Sequence, residues 1–121
     1  TRDEIVKYYA VDPDKTDWVH NAVSEDFLQQ DVSHEKIEAI RNKYGLPEKY
    51  ILYIGTLQPR KNISTLIEAY AASGQRDIKL VVAGGRGHNF DPEIDNTVKK
   101  YNLESDVIFP GLLMKMIRQL L

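Results

Sequence analysis

Two adjacent cations, Arg60 and Lys61, lie between an apolar run and a segment of helical periodicity. The run, Tyr50 to Ile54, reads as a strand buried on both faces. Gly55 ends it, and Thr56 to Pro59 form a short loop. After the cations comes Asn62, a good N-cap residue type, and then Ile63, Leu66, Ile67, Tyr70 and Ala71 at helical spacing. The order is strand, glycine turn, cation pair, helix start. A helix N-terminus carries unpaired N–H groups and the positive end of the helix dipole. Two cations beside it would make a seat for a phosphate or diphosphate. Cations at such a junction can also be simply solvated. The loop lacks the several glycines of a Walker loop or a dinucleotide fingerprint.

Other groups invite chemistry less directly. Gly84-Gly85-Arg86-Gly87-His88 is a second glycine turn, and Pro110-Gly111-Leu112 a third. Arg86 and His88 could reach a ligand there, although a lone surface histidine is more often a bystander. Asp91, Glu93 and Asp95 suit the start of a helix, where negative charge is favoured, or could be read as a metal cluster. Trp18, Tyr8 and Tyr9 suggest sugar stacking, with packing of the N-terminal segment as the plainer reading.

These loops need a scaffold, and the chain supplies one. Thr1 with Glu4 fits a capping box for a short helix bearing Ile5, Tyr8 and Tyr9, which Asp12-Pro13-Asp14 stops. Asp17 to His20 is a short candidate strand, and 21–31 a polar loop anchored by Phe27 and Leu28. Ser33 can cap a helix through Tyr44, with Ile37, Ile40 and Tyr44 on one face and Gly45 as C-cap. Lys79 to Ala83 reads as a second buried strand and Asp106 to Phe109 as a third. Between them a helix begins at Asp91 or Pro92, with Ile94, Val98 and Tyr101 inward; Leu113 to Leu121 reads as an amphipathic helix. Strands alternating with helices predict an α/β fold, a parallel sheet with right-handed crossovers. In such sheets ligands gather at the carboxyl ends of the strands, where all three glycine loops fall.

The 121 residues suffice for one domain with a core. A net charge of −2 argues against nucleic-acid binding driven by bulk charge. The absence of cysteine excludes disulfides and thiolate-held metals, and suits a cytoplasmic protein. No apolar run approaches a membrane span, and Thr1-Arg2-Asp3-Glu4 shows no signal-peptide pattern. Without an initiator Met, the chain reads as processed or cut from something longer.

Gly55-Thr56-Leu57-Gln58-Pro59-Arg60-Lys61-Asn62, followed by Leu66-Ile67-Glu68-Ala69-Tyr70, resembles the group 1 family of GT-B retaining glycosyltransferases. His20-Asn21-Ala22-Val23, Leu80-Val81-Val82-Ala83-Gly84-Gly85 and Val107-Ile108-Phe109-Pro110-Gly111 extend the resemblance, in order, over nearly the whole chain. The resemblance implies a Rossmann-like half of a GT-B fold. Residues 1–31 would be the remnant of a first domain with its linker, and 32–121 part of the nucleotide-sugar-binding domain. It implies that Lys61 contacts the donor diphosphate and offsets charge on the leaving nucleotide. Arg60 could assist, standing in for the arginine that many relatives carry where this chain has Thr56. Gly55, Thr56, Gly84, Gly85, Arg86 and Leu112 would line the donor site. Leu112 and Leu113 fall where relatives meet the base, though core packing explains them equally well. Neither a protein-bound metal nor another cofactor is implied.

The same resemblance implies that the acceptor-binding domain precedes Thr1, save its last helix and strand. The paired-glutamate motif that holds donor sugar and ribose should follow Leu121. The expectation is a fragment that does not turn over alone, from a parent moving a hexose, with a lean to mannose, from a GDP- or UDP-linked donor to a glycan or lipid-linked acceptor. The parent could associate with a membrane. Exposed edges would favour a homo-oligomer. A non-catalytic α/β nucleotide-binding or interaction module, and part of a GT-B sugar epimerase, are the competing readings.

Overall fold

The computed structural model describes residues 1–23, 25–28 and 33–112. The expected helix 113–121, with Leu113, and the side chain of Phe27 lie outside them. The chain divides into two compact units, Thr1–Asp31 and Val32–Leu121.

In the first unit, α1 spans Arg2–Tyr9 and the Thr1 ammonium pairs with the Glu4 carboxylate. Arg2 ties α1 to the following 3-10 turn, Pro13–Lys15, donating from Nε to the Thr16 carbonyl and from a terminal nitrogen to the Pro13 carbonyl, each at 2.8 Å. Asp12 Oδ1 caps that turn by accepting from the Asp14 N–H at 3.1 Å. Three expectations fail here. Tyr8, Tyr9 and Trp18 are exposed, and α1 buries no residue, so they do not form a packed cluster. Residues 17–20 form no strand. Within the expected loop, Glu25–Leu28 closes one helical turn, α2, and Leu28 faces solvent rather than anchoring it.

The second unit opens with α3, His34–Tyr44. Ser33 caps its first turn by accepting from the Lys36 N–H, and Gly45 closes it in the left-handed region at φ 62°. Three strands follow: β1 (Tyr50–Ile54), β2 (Lys79–Ala83) and β3 (Val107–Ile108). They pair in the order β1-β2-β3, all parallel, with Tyr50 opposite Lys79 and Leu80 opposite Val107. Between β1 and β2 lies α4, Ile63–Ala72; between β2 and β3 lies α5, Glu93–Lys100.

β2 is central and reads as the sequence predicts, with Leu80, Val81, Val82 and Ala83 all buried. The core joins Leu80 and Val82 to Ile63, Ile67 and Tyr70 of α4, to Ile94 and Val98 of α5, and to Leu57, Leu103 and Val107. Truncating one of its fully buried isoleucines to alanine would cost about 2–5 kcal/mol. β1 departs from expectation. Among the described residues it lies at the edge of the sheet, and Ile51, Leu52 and Ile54 are 46%, 45% and 58% exposed. A continuous apolar run records what a strand tolerates on both faces, not which place it takes in the sheet. β3 is two residues long rather than four: the Asp106 and Val107 N–H groups both donate to the Leu103 carbonyl at 2.9 Å, a turn that runs up to the strand, and the ladder ends at Ile108.

At the amino ends of the strands, the nearly buried Asp106 carboxylate accepts from Lys79 Nζ and, at 3.1 Å, from Arg76. The Lys79 hydrogen bond, with the Coulombic attraction of both cations, holds the Asp106 carboxyl below its ordinary range against the opposing effect of burial.

Candidate functional site

Parallel pairing puts the carboxyl ends of all three strands on one edge, so the loops after Ile54, Ala83 and Ile108 converge there. Their contact is close. The Gly55 N–H donates to the Ala83 carbonyl at 3.0 Å, prolonging the β1–β2 ladder by one bond. A Cβ placed on Gly84 would stand 2.0 Å from the Gly55 carbonyl oxygen, so only glycine lets these two loops cross. The Asp91 N–H donates to the Leu57 carbonyl at 2.9 Å, a second stitch between the same loops. Leu57, apolar among polar loop neighbours, plugs the junction at 1% exposure.

The cation pair rides on a 3-10 turn, Pro59–Lys61, that leads directly into α4. Arg60 and Lys61 are both exposed. Arg60 Nε donates to Gln58 Oε1 at 3.1 Å, and neither cation forms a salt bridge with a carboxylate among the described residues. Asn62 departs from the expected cap. It takes the left-handed conformation at φ 50°, which asparagine tolerates, and its side-chain oxygen accepts from the Thr65 hydroxyl at 2.8 Å. No side-chain cap therefore closes the α4 N-terminus. The turn that carries the two cations therefore leads into a helix start without a side-chain cap, where unpaired N–H groups and the positive end of the helix dipole fall.

Arg86 is differently placed. Its guanidinium makes a two-pronged pair with Asp95 of α5 at 2.7 and 2.8 Å, and stacks 4.4 Å from the Phe90 ring centre and 5.3 Å from that of Phe109. The Asp95 hydrogen bond raises the Arg86 pKa, and Arg86 in turn lowers that of Asp95. Asp91, Glu93 and Asp95 thus serve local structure: Asp91 Oδ1 accepts from the Glu93 N–H at 3.1 Å, ahead of α5, and Asp95 holds Arg86. Among the described residues no group of acids and histidines could hold a metal ion.

The expected site residues fall around three hollows. Gly84, Gly85, Arg86 and Leu112 share one of about 380 Å³ with Leu57, Phe109 and Gly111. Thr56 and Gly85 share another, of about 230 Å³, with Gln58, His88, Asn89 and Phe90. Arg60 lines a third, of about 380 Å³, with Gln58, Pro59, Asn89 and Phe90. Gly55 lies at the loop crossing. Lys61 stands on the same turn as Arg60, facing solvent.

Sequence reasoning missed Asp95 as the partner of Arg86, and Phe90 and Phe109 as its aromatic neighbours. A pair between a loop and the next helix leaves no periodic trace. It also missed Gln58 and Asn89, which carry no signal beyond their nearness to glycine turns.

The profile of the family described as "Glycosyl transferases group 1" matches residues 36–121. The serotype-specific mannosyltransferase WbdA of Escherichia coli is 34% identical over 118 residues, covering 91% of this chain and 14% of the relative. The N-acetylgalactosamine-N,N'-diacetylbacillosaminyl-diphospho-undecaprenol 4-alpha-N-acetylgalactosaminyltransferase of Campylobacter jejuni is 31% identical over 109 residues, covering 90% of this chain and 27% of the relative. The O-antigen chain mannosyltransferase B of Escherichia coli is 32% identical over 95 residues, covering 75% and 24%. The chain thus spans between a seventh and just over a quarter of these curated relatives. No solved structure gives a significant match.

Proposed function

The chain belongs to the group 1 glycosyl transferases, and on that premise we propose that residues 32–121 are the diphosphate-binding part of a nucleotide-sugar-binding domain in a longer hexosyltransferase. Residues 1–31 are then the end of a preceding domain and its linker. One observation carries the reading: Arg60 and Lys61, without carboxylate partners among the described residues, stand at the uncapped N-terminus of α4 on the carboxyl edge of the sheet. An anion arriving there meets two cations and free N–H groups at once.

In the transfer, the bond between the sugar's anomeric carbon and the diphosphate oxygen breaks, and negative charge collects on the leaving nucleoside diphosphate. Lys61 and Arg60 offset that charge as it forms. Gly55, Thr56, Gly84, Gly85 and Leu112 let backbone and small side chains approach the donor. Arg86, already paired with Asp95, forms the wall of the donor site. Two of the three relatives above are named for mannose and one for N-acetylgalactosamine transfer to a diphospho-undecaprenol-linked sugar, which supports a GDP- or UDP-linked hexose as donor and a glycan or lipid-linked acceptor. No helix among the described residues is long and apolar enough to cross a membrane. Taken alone, the chain binds donor weakly and does not turn over. The exposed apolar residues of β1 favour self-association. Light scattering from a monodisperse monomer at high concentration would remove that last element.

Calorimetric titration with GDP, UDP and their sugar conjugates tests the reading. Binding by one nucleotide series, weakened about tenfold or more in Lys61→Ala, is the expected result. Binding of the same strength in both proteins would refute it.

A further inference from the structure

The third glycine loop is tied to the second in another way than the second is to the first. β3 bonds to β2 through alternate residues: the Leu80 N–H donates to the Asp106 carbonyl at 2.9 Å, so 108 and 110 are the next to face β2. Pro110 has no N–H to give. Among the described residues, no backbone hydrogen bond beyond the β3 ladder reaches 109–112. The third loop therefore takes its place from side-chain contacts, and these lead to Gly85 and Arg86.

A Cβ placed on Gly85 would stand 3.0 Å from the Leu112 side chain, so Leu112 rests on bare backbone there. One residue on, Arg86 makes its two-pronged pair with Asp95 and sets its guanidinium 4.4 Å from the Phe90 ring centre and 5.3 Å from that of Phe109. A single side chain thus touches α5, the turn before α5 and the first residue after β3. Arg86 and Phe109 line two hollows. One, on the proposed donor side, includes Gly84, Gly85 and Leu112; the other, of about 290 Å³, includes Asp95. The carboxylate that fixes the guanidinium belongs to the second hollow and not to the first.

The Arg86 and Asp95 side chains are 48% and 40% exposed, and a pair so exposed adds little to stability. Its geometry matters more. A planar fork held at two nitrogens keeps a fixed plane against the rings, which the point charge of a lysine does not. Its charge is already answered by Asp95, unlike the charges of Arg60 and Lys61.

We propose that Arg86 is a positioning residue for the donor site: held by Asp95, it fixes Phe109 and, through Phe109, the placement of 110–112, without itself touching the donor's phosphates. The inference rests on the reading of this edge as a nucleotide-sugar site, and it gives Arg86 a part in that site other than contact. A site whose supporting contacts are loosened loses affinity although its binding groups remain.

Amide-resolved NMR of the whole chain, with GDP and UDP titrations at two ionic strengths, tests it on Arg86→Ala, Arg86→Lys and Asp95→Asn. Before any ligand is added, both Arg86 variants should move the amides of 109, 111 and 112 and leave those of 60–64 in place. Both should weaken nucleotide binding about threefold, with the salt dependence of wild type. Asp95→Asn, which cannot meet a phosphate as a cation, should do the same on the same amides, more weakly. A direct phosphate contact gives the opposite signs and would overturn the proposal: Arg86→Lys would keep its affinity, Arg86→Ala would lose salt dependence, and Asp95→Asn, freeing the guanidinium, would bind more tightly. A lower urea midpoint with unmoved 109–112 amides and unchanged affinity would also overturn it, leaving a surface ion pair alone. If wild type binds neither nucleotide, the diphosphate reading falls by itself. The free-protein amides then decide the placement of 109–112: movement upholds it and stillness overturns it.

Discussion

The two ends of the sheet treat positive charge in opposite ways. At the amino ends, Arg76 and Lys79 converge on one nearly buried carboxylate, Asp106. At the carboxyl ends, Arg60 and Lys61 share a turn and meet no carboxylate among the described residues. Arg86 lies on the carboxyl side but follows the pattern of the amino side, because Asp95 holds it with two hydrogen bonds. A paired cation helps hold structure together. An unpaired one keeps its charge available to an incoming anion, at the expense of repelling its neighbour until the anion arrives. The comparison therefore separates residues whose loss should show in stability from residues whose loss should show in binding.

The largest expected effect tests the frame both ends depend on. Gly84→Ala forces a Cβ into the Gly55 carbonyl oxygen, which is backbone and cannot rotate away. It should cost about 2–3 kcal/mol in urea unfolding. An unchanged midpoint would mean that the loops do not cross as described.

Next comes Asp106→Asn, which leaves Arg76 and Lys79 without their shared counter-charge; a loss of about 1–3 kcal/mol is expected, with nucleotide affinity unchanged in the protein that remains folded. Its pH dependence has a definite sign. The Asp106 pKa is lower folded than unfolded, so its contribution is present above about pH 4, the unfolded value, and is lost as pH falls through the lower folded value. Wild-type stability should drop across that acid range more steeply than that of Asp106→Asn. Parallel curves would count against the pairing.

Lys61→Ala should shift stability by less than about 0.5 kcal/mol, as befits an exposed side chain, while nucleotide affinity falls tenfold or more. Raising ionic strength should weaken wild-type binding more than binding by the variant, since an exposed contact is screened. The smallest effect belongs to Asp95→Asn. The Arg86–Asp95 pair is partly exposed on both sides, so its loss should cost no more than about 1 kcal/mol. A loss as large as that of Asp106→Asn would erase the distinction between exposed and buried pairs.

Much of this arrangement is legible in the residues themselves. The strand runs, the glycine turns and the helix-spaced apolar positions of α3, α4 and α5 point to a parallel α/β sheet, and Ser33 and Gly45 mark the ends of α3 through local hydrogen bonding alone. The adjacency of Arg60 and Lys61 at a strand-to-helix junction is equally local. What escaped is non-local. β1 is apolar throughout, yet its edge position depends on which strands pair. Residues 17–20 have strand composition and form no strand. Asp106 and Asp95 look like ordinary surface acids until the fold brings Lys79 and Arg86 to them. Asn62 was legible as a helix-start residue, but Thr65 takes its side-chain oxygen and leaves the helix end open, which no propensity encodes.

The proposed contact of Lys61 with the diphosphate of a bound nucleotide can be read directly. Phosphorus NMR of GDP or UDP titrated with wild-type chain and with Lys61→Ala reads that contact at the phosphorus atoms. Wild-type chain should shift and broaden the β-phosphorus resonance of the nucleotide it binds, and Lys61→Ala, equally folded, should leave that resonance close to its free position. An equal perturbation by both proteins would contradict it.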